Sequence, residues 1–240
     1  MPKKVIRRYK RSVDKKQNKE INKLKKKVSK LASNTEKKWS DTNQSSKAIS
    51  TTPNVDPFLG LTVWNSGASN ANETKQFSRS GNSIVMTSLK LDGIVYIDKD
   101  FASPDANNIV RLMLVQMTDD NQTAPSSTDI LQTNDVNSFY KLKGTRRYKI
   151  HYDKRFYLQN TNQTYSSSSA IMPTNVEQWR KRFIIKAKIP KKGLKVTYSQ
   201  GSVSGNGPVV NGFFLLSVSD SGVISHPAMI YRSRLRFLDN

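Results

Sequence analysis

The sequence predicts an all-β domain, an eight-stranded antiparallel jelly roll, preceded by a basic and partly helical N-terminal arm. Three observations predict it. After Phe58, eight short apolar runs are separated by clusters of Gly, Asn, Ser, Asp and Pro. No stretch of that region sustains a helical apolar stripe, the best short candidate lying around Val176 to Arg180. The connections between the runs are very unequal in length, which fits a two-sheet sandwich or jelly roll better than an up-and-down barrel.

The arm comes first in the chain. Residues 1–38 hold 16 of the 40 Lys and Arg against Asp14, Glu20 and Glu36, so they carry +13 of the net +22. They contain no glycine and no aromatic residue except Tyr9, and such a composition cannot bury enough apolar surface to fold alone. Ile21, Leu24, Val28 and Leu31 nevertheless recur at spacings of three and four, among Lys23, Lys25, Lys26, Lys27 and Lys30. Two heptads crowded by like charges predict a helix that forms when the lysines are neutralised or when copies bundle. The opening run 2–11 (PKKVIRRYKR) also suits a nuclear import signal read by an import receptor. Residues 39–57 are rich in Ser, Thr and Asn and end in Pro53 and Pro57, which predicts a flexible linker and a domain spanning 58–240.

The runs fall at 59–65, 83–98, 109–117, 146–158, 181–189, 194–199, 211–219 and 228–238. Several alternate with the period of a two-faced strand. In the fourth, Tyr148, Ile150, Tyr152, Phe156 and Leu158 share one face, opposite Arg147, Lys149, His151, Asp153 and Arg155. In the fifth, Phe183, Ile185, Ala187 and Ile189 oppose Arg180, Arg182, Lys186 and Lys188. In the last, Met229, Tyr231, Leu235 and Phe237 oppose Arg232, Arg234 and Arg236. The run 109–117 is apolar on both faces apart from Arg111, as a central, doubly covered strand would be.

Charge points to the partner. A pI near 10.1 predicts association with a polyanion, held electrostatically and largely without regard to sequence. The candidate nucleic-acid-binding residues are Lys3, Lys4, Arg7, Arg8, Lys10, Arg11, Lys15, Lys16, Lys19, Lys23, Lys25, Lys26 and Lys27 of the arm, with Arg232, Arg234 and Arg236 of the last strand. A second tier is Lys149, Arg155, Arg182 and Lys186. Enzymatic chemistry finds little material. There is no cysteine, and the two histidines, His151 and His226, lie far apart in sequence. His151, on a polar strand face, reads as a surface or interface residue. The Gly-rich stretch 201–207 (GSVSGNG) lacks a lysine and opens no helix, so it reads as a loop between strands. Asp119, Asp120, Asp129 and Asp135 form a carboxylate cluster of the kind that can hold calcium between subunits, but without EF-hand spacing a solvated loop is the default. The expectation is therefore no enzyme, no cofactor and no metal. No apolar run approaches the roughly 18 residues of a spanning helix, so no membrane association is expected either.

Four stretches, in order, carry a family resemblance: 62–67 (TVWNSG) ahead of 79–93 (RSGNSIVMTSLKLDG), 110–132 (VRLMLVQMTDDNQTAPSSTDILQ), 146–158 (RRYKIHYDKRFYL) and 207–220 (GPVVNGFFLLSVSD). Taken together the chain resembles the single-jelly-roll capsid proteins of circular Rep-encoding single-stranded DNA viruses. It is also similar to the coats of geminiviruses and of satellite tobacco necrosis virus. The third stretch departs from the usual pattern by carrying Tyr148 where phenylalanine is common. The resemblance implies a viral coat subunit that self-assembles into a small icosahedral shell of about 60 copies. It also implies a single-stranded genome, DNA in preference to RNA, bound by the arm inside the virion, with assembly in the host nucleus. The alternative is a cellular nucleic-acid-binding protein, such as a ribosomal protein with a basic tail. A hydrolase or lectin on the same fold would need a site constellation that the sequence does not display.

Overall fold

A computed structural model describes residues 14–28, 37–56, 79, 81–97, 107–118, 125–141, 147–159, 176–198, 208–222 and 227–239 of the chain. The chain divides into two compact units, Met1–Glu36 and Lys37–Asn240. In the first unit residues 14–28 form helix α1, exposed along its whole length. Its stripe residues Ile21, Leu24 and Val28 are 47%, 60% and 62% exposed, and Leu31 lies outside the described residues.

The second unit is a two-sheet antiparallel sandwich. Its strands are β1 (Lys37–Ala48), β2 (Asn54–Asp56), β3 (Ser83–Tyr96), β4 (Asn107–Met117), β5 (Tyr148–Gln159), β6 (Arg180–Lys186), β7 (Leu194–Tyr198), β8 (Pro208–Val210), β9 (Phe213–Ser219) and β10 (Ala228–Asp239). One sheet runs β1-β10-β3-β7-β8, with β6 pairing the other half of β3, and the second runs β2-β9-β4-β5. Among the described strands the chain changes sheet at six of nine connections, all but β4–β5, β6–β7 and β7–β8, and β1 and β10 lie side by side. That is the jelly-roll winding.

Two apolar layers follow from the strand patterns. Between the sheets, Ile84, Met86, Leu89, Leu91 and Val95 of β3 meet Val110, Leu112 and Leu114 of β4, with Phe213, Leu215, Leu235 and Phe237 among them. On the outer side of the second sheet, Met113, Val115, Phe214, Leu216 and Val218 pack under Ile130, Leu131 and Val136. The segment 125–141, with the short helix α2 (Ser127–Ile130), thus acts as a cover. This explains why β4 is apolar on both faces: each face has its own core. Arg111, its one cation, is buried in the second layer. Its guanidinium grips Asp153 twice (2.9 and 2.8 Å) and donates to the carbonyls of Val136 and Ser138, pinning the cover to the sheet.

The structure corrects three expectations. Residues 39–57, expected as linker, hold most of β1 and all of β2, so the sandwich begins at Lys37. β1 is an edge strand defined by its pairing with β10 rather than by apolar residues of its own; its inward Lys38 is accommodated by Asp239 at 2.6 Å. The sandwich therefore has two early strands, β1 and β2, and a short strand, β8, beyond the runs expected, while β7 falls where a strand was expected. The expected strand at 59–65 lies outside the described residues. Finally, the apolar residues of β5 do not share a face. A bulge lies where Leu114 pairs Tyr152 but Val115 pairs Ile150, so Tyr148 and Ile150 join the outer layer while Tyr152, Phe156 and Leu158 join the inner one. The bulged residue, His151, turns inward against Phe213, with ring centroids 5.0 Å apart.

Candidate nucleic-acid interface

Alternation along β10 buries Tyr231, Ser233, Leu235 and Phe237 and sends Arg232, Arg234 and Arg236 to the outer face of the first sheet. The neighbouring strands repeat the pattern. Lys90 of β3 and Arg180, Arg182 and Lys186 of β6 are exposed on the same face, and Lys195 of β7 follows. Register brings like charges together: Arg234 stands opposite Lys90, and Lys90 opposite Lys186. With adjacent strands roughly 4.8 Å apart, this makes a row of cations across three strands. Like charges directly opposite one another destabilise a sheet, and the fold answers this in part, since Arg234 pairs with Asp41 and Lys90 with Asp92 at 3.3 Å.

Two carboxylates relieve part of the repulsion. Asp41 of β1 accepts a bidentate pair from Arg234 (2.8 and 2.6 Å), and Asp92 of β3 accepts one from Arg182 (3.1 and 3.0 Å). The hydrogen bonds from Arg182 hold Asp92 below the usual carboxylate range, and Asp92 in turn raises Arg182. Asp41 raises Arg234 in the same way. Arg232 and Arg236 have no ion-pair partner among the described residues. Ile94, Ile184 and Ile230 are also exposed on this face, at 38%, 46% and 45%, so its cations sit among aliphatic patches.

The predicted site residues separate by location. Lys15, Lys16, Lys19, Lys23, Lys25, Lys26 and Lys27 lie on α1, all exposed. Lys3, Lys4, Arg7, Arg8, Lys10 and Arg11 lie outside the described residues. Arg232, Arg234 and Arg236 are brought together, and Arg182 and Lys186 join them. Lys149 and Arg155 do not, because β5 belongs to the other sheet, where Arg155 donates to the carbonyl of Val136 at 3.0 Å. Lys90 and Lys195 were missed. Lys90 was legible in principle, since it sits between two inward leucines, Leu89 and Leu91.

The remaining sequence candidates take other roles. Asp129 accepts the Ser126 N–H at 2.9 Å, which lowers its pKa and caps α2; Asp135 accepts the N–H of Asn137 at 2.6 Å. Asp119 and Asp120 lie outside the described residues, and no metal-ligating group of three or more occurs among the described ones. His151 is half-buried, with its ring turned inward rather than out to solvent. Its Nδ1 accepts the N–H of Lys188 at 3.0 Å and its Nε2 faces the Gln116 carbonyl at 2.8 Å, so it links the two sheets as a neutral ring. Burial, together with the charges of Lys149 and Lys188, pushes its pKa down to about 4.

Comparison with known proteins adds little. No family model matches the sequence, and no curated protein matches it. Among solved structures, one titled Desmodium yellow mottle tymovirus aligns with 85% of this chain and 87% of its own, at 12% identity and a TM-score of 0.37. A likeness of that degree bears on neither family nor function.

Proposed function

We propose that this chain is a viral coat subunit that self-assembles into a small icosahedral shell and packages a single-stranded genome through its basic arm. The observation that carries the reading is the placement of +11 of the net +22 in residues 1–36, directly ahead of a jelly-roll sandwich. Segments of that kind bind phosphate by releasing counterions, without base readout. The cation row on the first sheet supports the same ligand class, since Asp41 and Asp92 offset only part of its charge and Lys186, Arg232 and Arg236 are left for an outside anion. The shell is of about 60 copies, the simplest closed icosahedral arrangement. At +22 per chain it would carry on the order of 1,300 positive charges, which suits a genome of roughly one to three thousand nucleotides. Single-stranded DNA is the favoured genome, the virion and the host nucleus are the compartments, and an import receptor would read the opening basic run.

Electron microscopy of the purified full chain tests the shell. Uniform closed particles are expected, and a monodisperse monomer under every assembly condition overturns the reading. Digestion of extracted contents with DNase and RNase tests the genome. RNase-sensitive contents would replace the DNA assignment and leave the coat assignment standing.

A further inference from the structure

The outer face of the first sheet carries apolar side chains that phosphate binding does not need. Strand register lays the outward residues of β10, β3 and β6 on a grid. Beyond the row of Arg234, Lys90 and Lys186, the next row is Arg232, Asp92 and Ile184, and the one after it Ile230, Ile94 and Arg182. Ile230 and Ile94 are thus direct cross-strand neighbours, about 5 Å apart, and Ile184 lies diagonal to Ile94, about 7–8 Å away. Each of the three is more than a third exposed. On the opposite side of the cation row, Trp39 of β1 stands opposite Arg236 on the same face and is 36% exposed.

The core does not use these groups, because the inward residues of the same strands, among them Leu91, Ile185, Tyr231 and Leu235, already fill it. Single exposed aliphatic residues are ordinary on a protein surface. Here three are contiguous, and Arg182 and Arg232 border them. Whatever covers such a face must bring negative charge and apolar surface together. A duplex offers a flat sheet only its phosphates and sugars, since its bases are stacked inside. An unpaired strand offers its bases as well, and their flat faces settle on aromatic and aliphatic side chains. We infer that this face selects unpaired nucleic acid, with phosphates on Arg232, Arg236 and Lys186 and bases against Ile94, Ile184, Ile230 and Trp39. The inference rests on the packaging function proposed above and adds a division of labour. The arm attracts any phosphate backbone, and the sandwich tells a single strand from a duplex.

Fluorescence anisotropy on the full chain tests it at a fixed salt concentration. The probes are a thymidine oligonucleotide, an abasic strand of the same length and a thymidine–adenine duplex. The oligonucleotide should bind about tenfold more tightly than the abasic strand, the effect of one or two bases laid on apolar side chains. Ile94→Thr, Ile184→Thr and Ile230→Thr together keep the β-branched shape that strands favour, so the melting temperature should stay near that of the parent. They should shrink the tenfold preference several-fold while leaving the duplex affinity and the salt dependence unchanged. Tryptophan emission provides a second readout: the oligonucleotide should quench it, the abasic strand should not, and Trp39→Phe should remove the difference. Equal binding of the two strands by the parent would overturn the inference and leave packaging by the arm standing. A preference untouched by the threonine substitutions, or quenching that survives Trp39→Phe, would also overturn it. Binding to phosphatidylserine vesicles that falls in the threonine variant, with the strand preference intact, would assign the face to a membrane instead. A parent that binds none of the three probes would remove the packaging function itself, and this inference with it.

Discussion

Replacing Arg111 with Met should loosen the cover over the second sheet. Methionine keeps the unbranched apolar stem and removes the guanidinium, whose side chain is 3% exposed. Four hydrogen bonds are lost, two to Asp153 and one each to the carbonyls of Val136 and Ser138. Asp153 keeps only the hydroxyl of Tyr140, and the Ser138 carbonyl loses its cation. Removing one partner of a buried pair costs about 3–5 kcal/mol. Asp153 is 24% exposed and can recruit water, so the lower end, about 3 kcal/mol, is expected. For a domain near 200 residues that is a fall in melting temperature of roughly 6–12 °C. Arg111→Lys should recover only part, because an ammonium cannot grip a carboxylate with a planar fork. Amide exchange at Gln132 and Lys141, whose N–H groups close the cover on itself, should accelerate before the rest of the sandwich does. A variant melting within about 2 °C of the parent would refute the clamp.

Other perturbations test other parts of the molecule. Gly93→Ala places a Cβ 2.5 Å from the Ile230 carbonyl and 2.6 Å from the Phe183 ring, forcing β3 from β10; a urea titration should show a loss of about 3 kcal/mol. Because the folded pKa of His151 is depressed to about 4, its contribution is complete above the unfolded value near 6.5 and falls away as pH drops from 6.5 to 4. The ring is half-buried, so solvent screening limits the effect to about 1–2 kcal/mol, and His151→Phe should flatten that part of the stability curve relative to the parent. Leu24→Asn with Val28→Asn alters only the apolar stripe of α1; particle yield should fall while the affinity for single-stranded DNA, measured by filter binding, holds. Deleting residues 1–36, which stops short of β1, should remove much of the salt dependence of DNA binding, because +11 of the net +22 leaves with them, and circular dichroism should still report a β-sheet.

Legibility varied with how much of each element's structure its own residues determine. β3, β4, β9 and β10 were plain, since their inward positions are aliphatic or aromatic and alternate or run continuously. β1 was hidden because its inward side chains at the start are Lys38 and Ser40, and what makes it a strand is the backbone ladder offered by β10. In β5 the period was right and the facing half wrong: one bulge at His151 transferred Tyr148 and Ile150 to the outer layer, and no local residue pattern announces a bulge. The arm was legible because its signal is composition. The cation row on the first sheet was half legible, since alternation puts arginines on one face of a strand but only register puts Arg234, Lys90 and Lys186 in line.

The two sheets treat arginine in opposite ways, and the difference separates folding from function. On the covered sheet Arg111 is enclosed, and every strong bond it makes closes the fold upon itself. On the open sheet Arg182 and Arg234 are fixed by Asp92 and Asp41, but exposed pairs of that kind contribute only about 0–1 kcal/mol. They orient two guanidinium groups without neutralising the face. Arg232, Arg236 and Lys186 remain beside them, and Lys90, which shares Asp92 with Arg182, still stands opposite both Arg234 and Lys186, like charges that cost stability in the free subunit. Salt should therefore stabilise the isolated subunit by screening this face, while weakening its hold on nucleic acid by competing for the same charges. On the function proposed above, a surface for which one ion has these two opposite effects is most stable when a polyanion covers it, and the sandwich then binds alongside the arm.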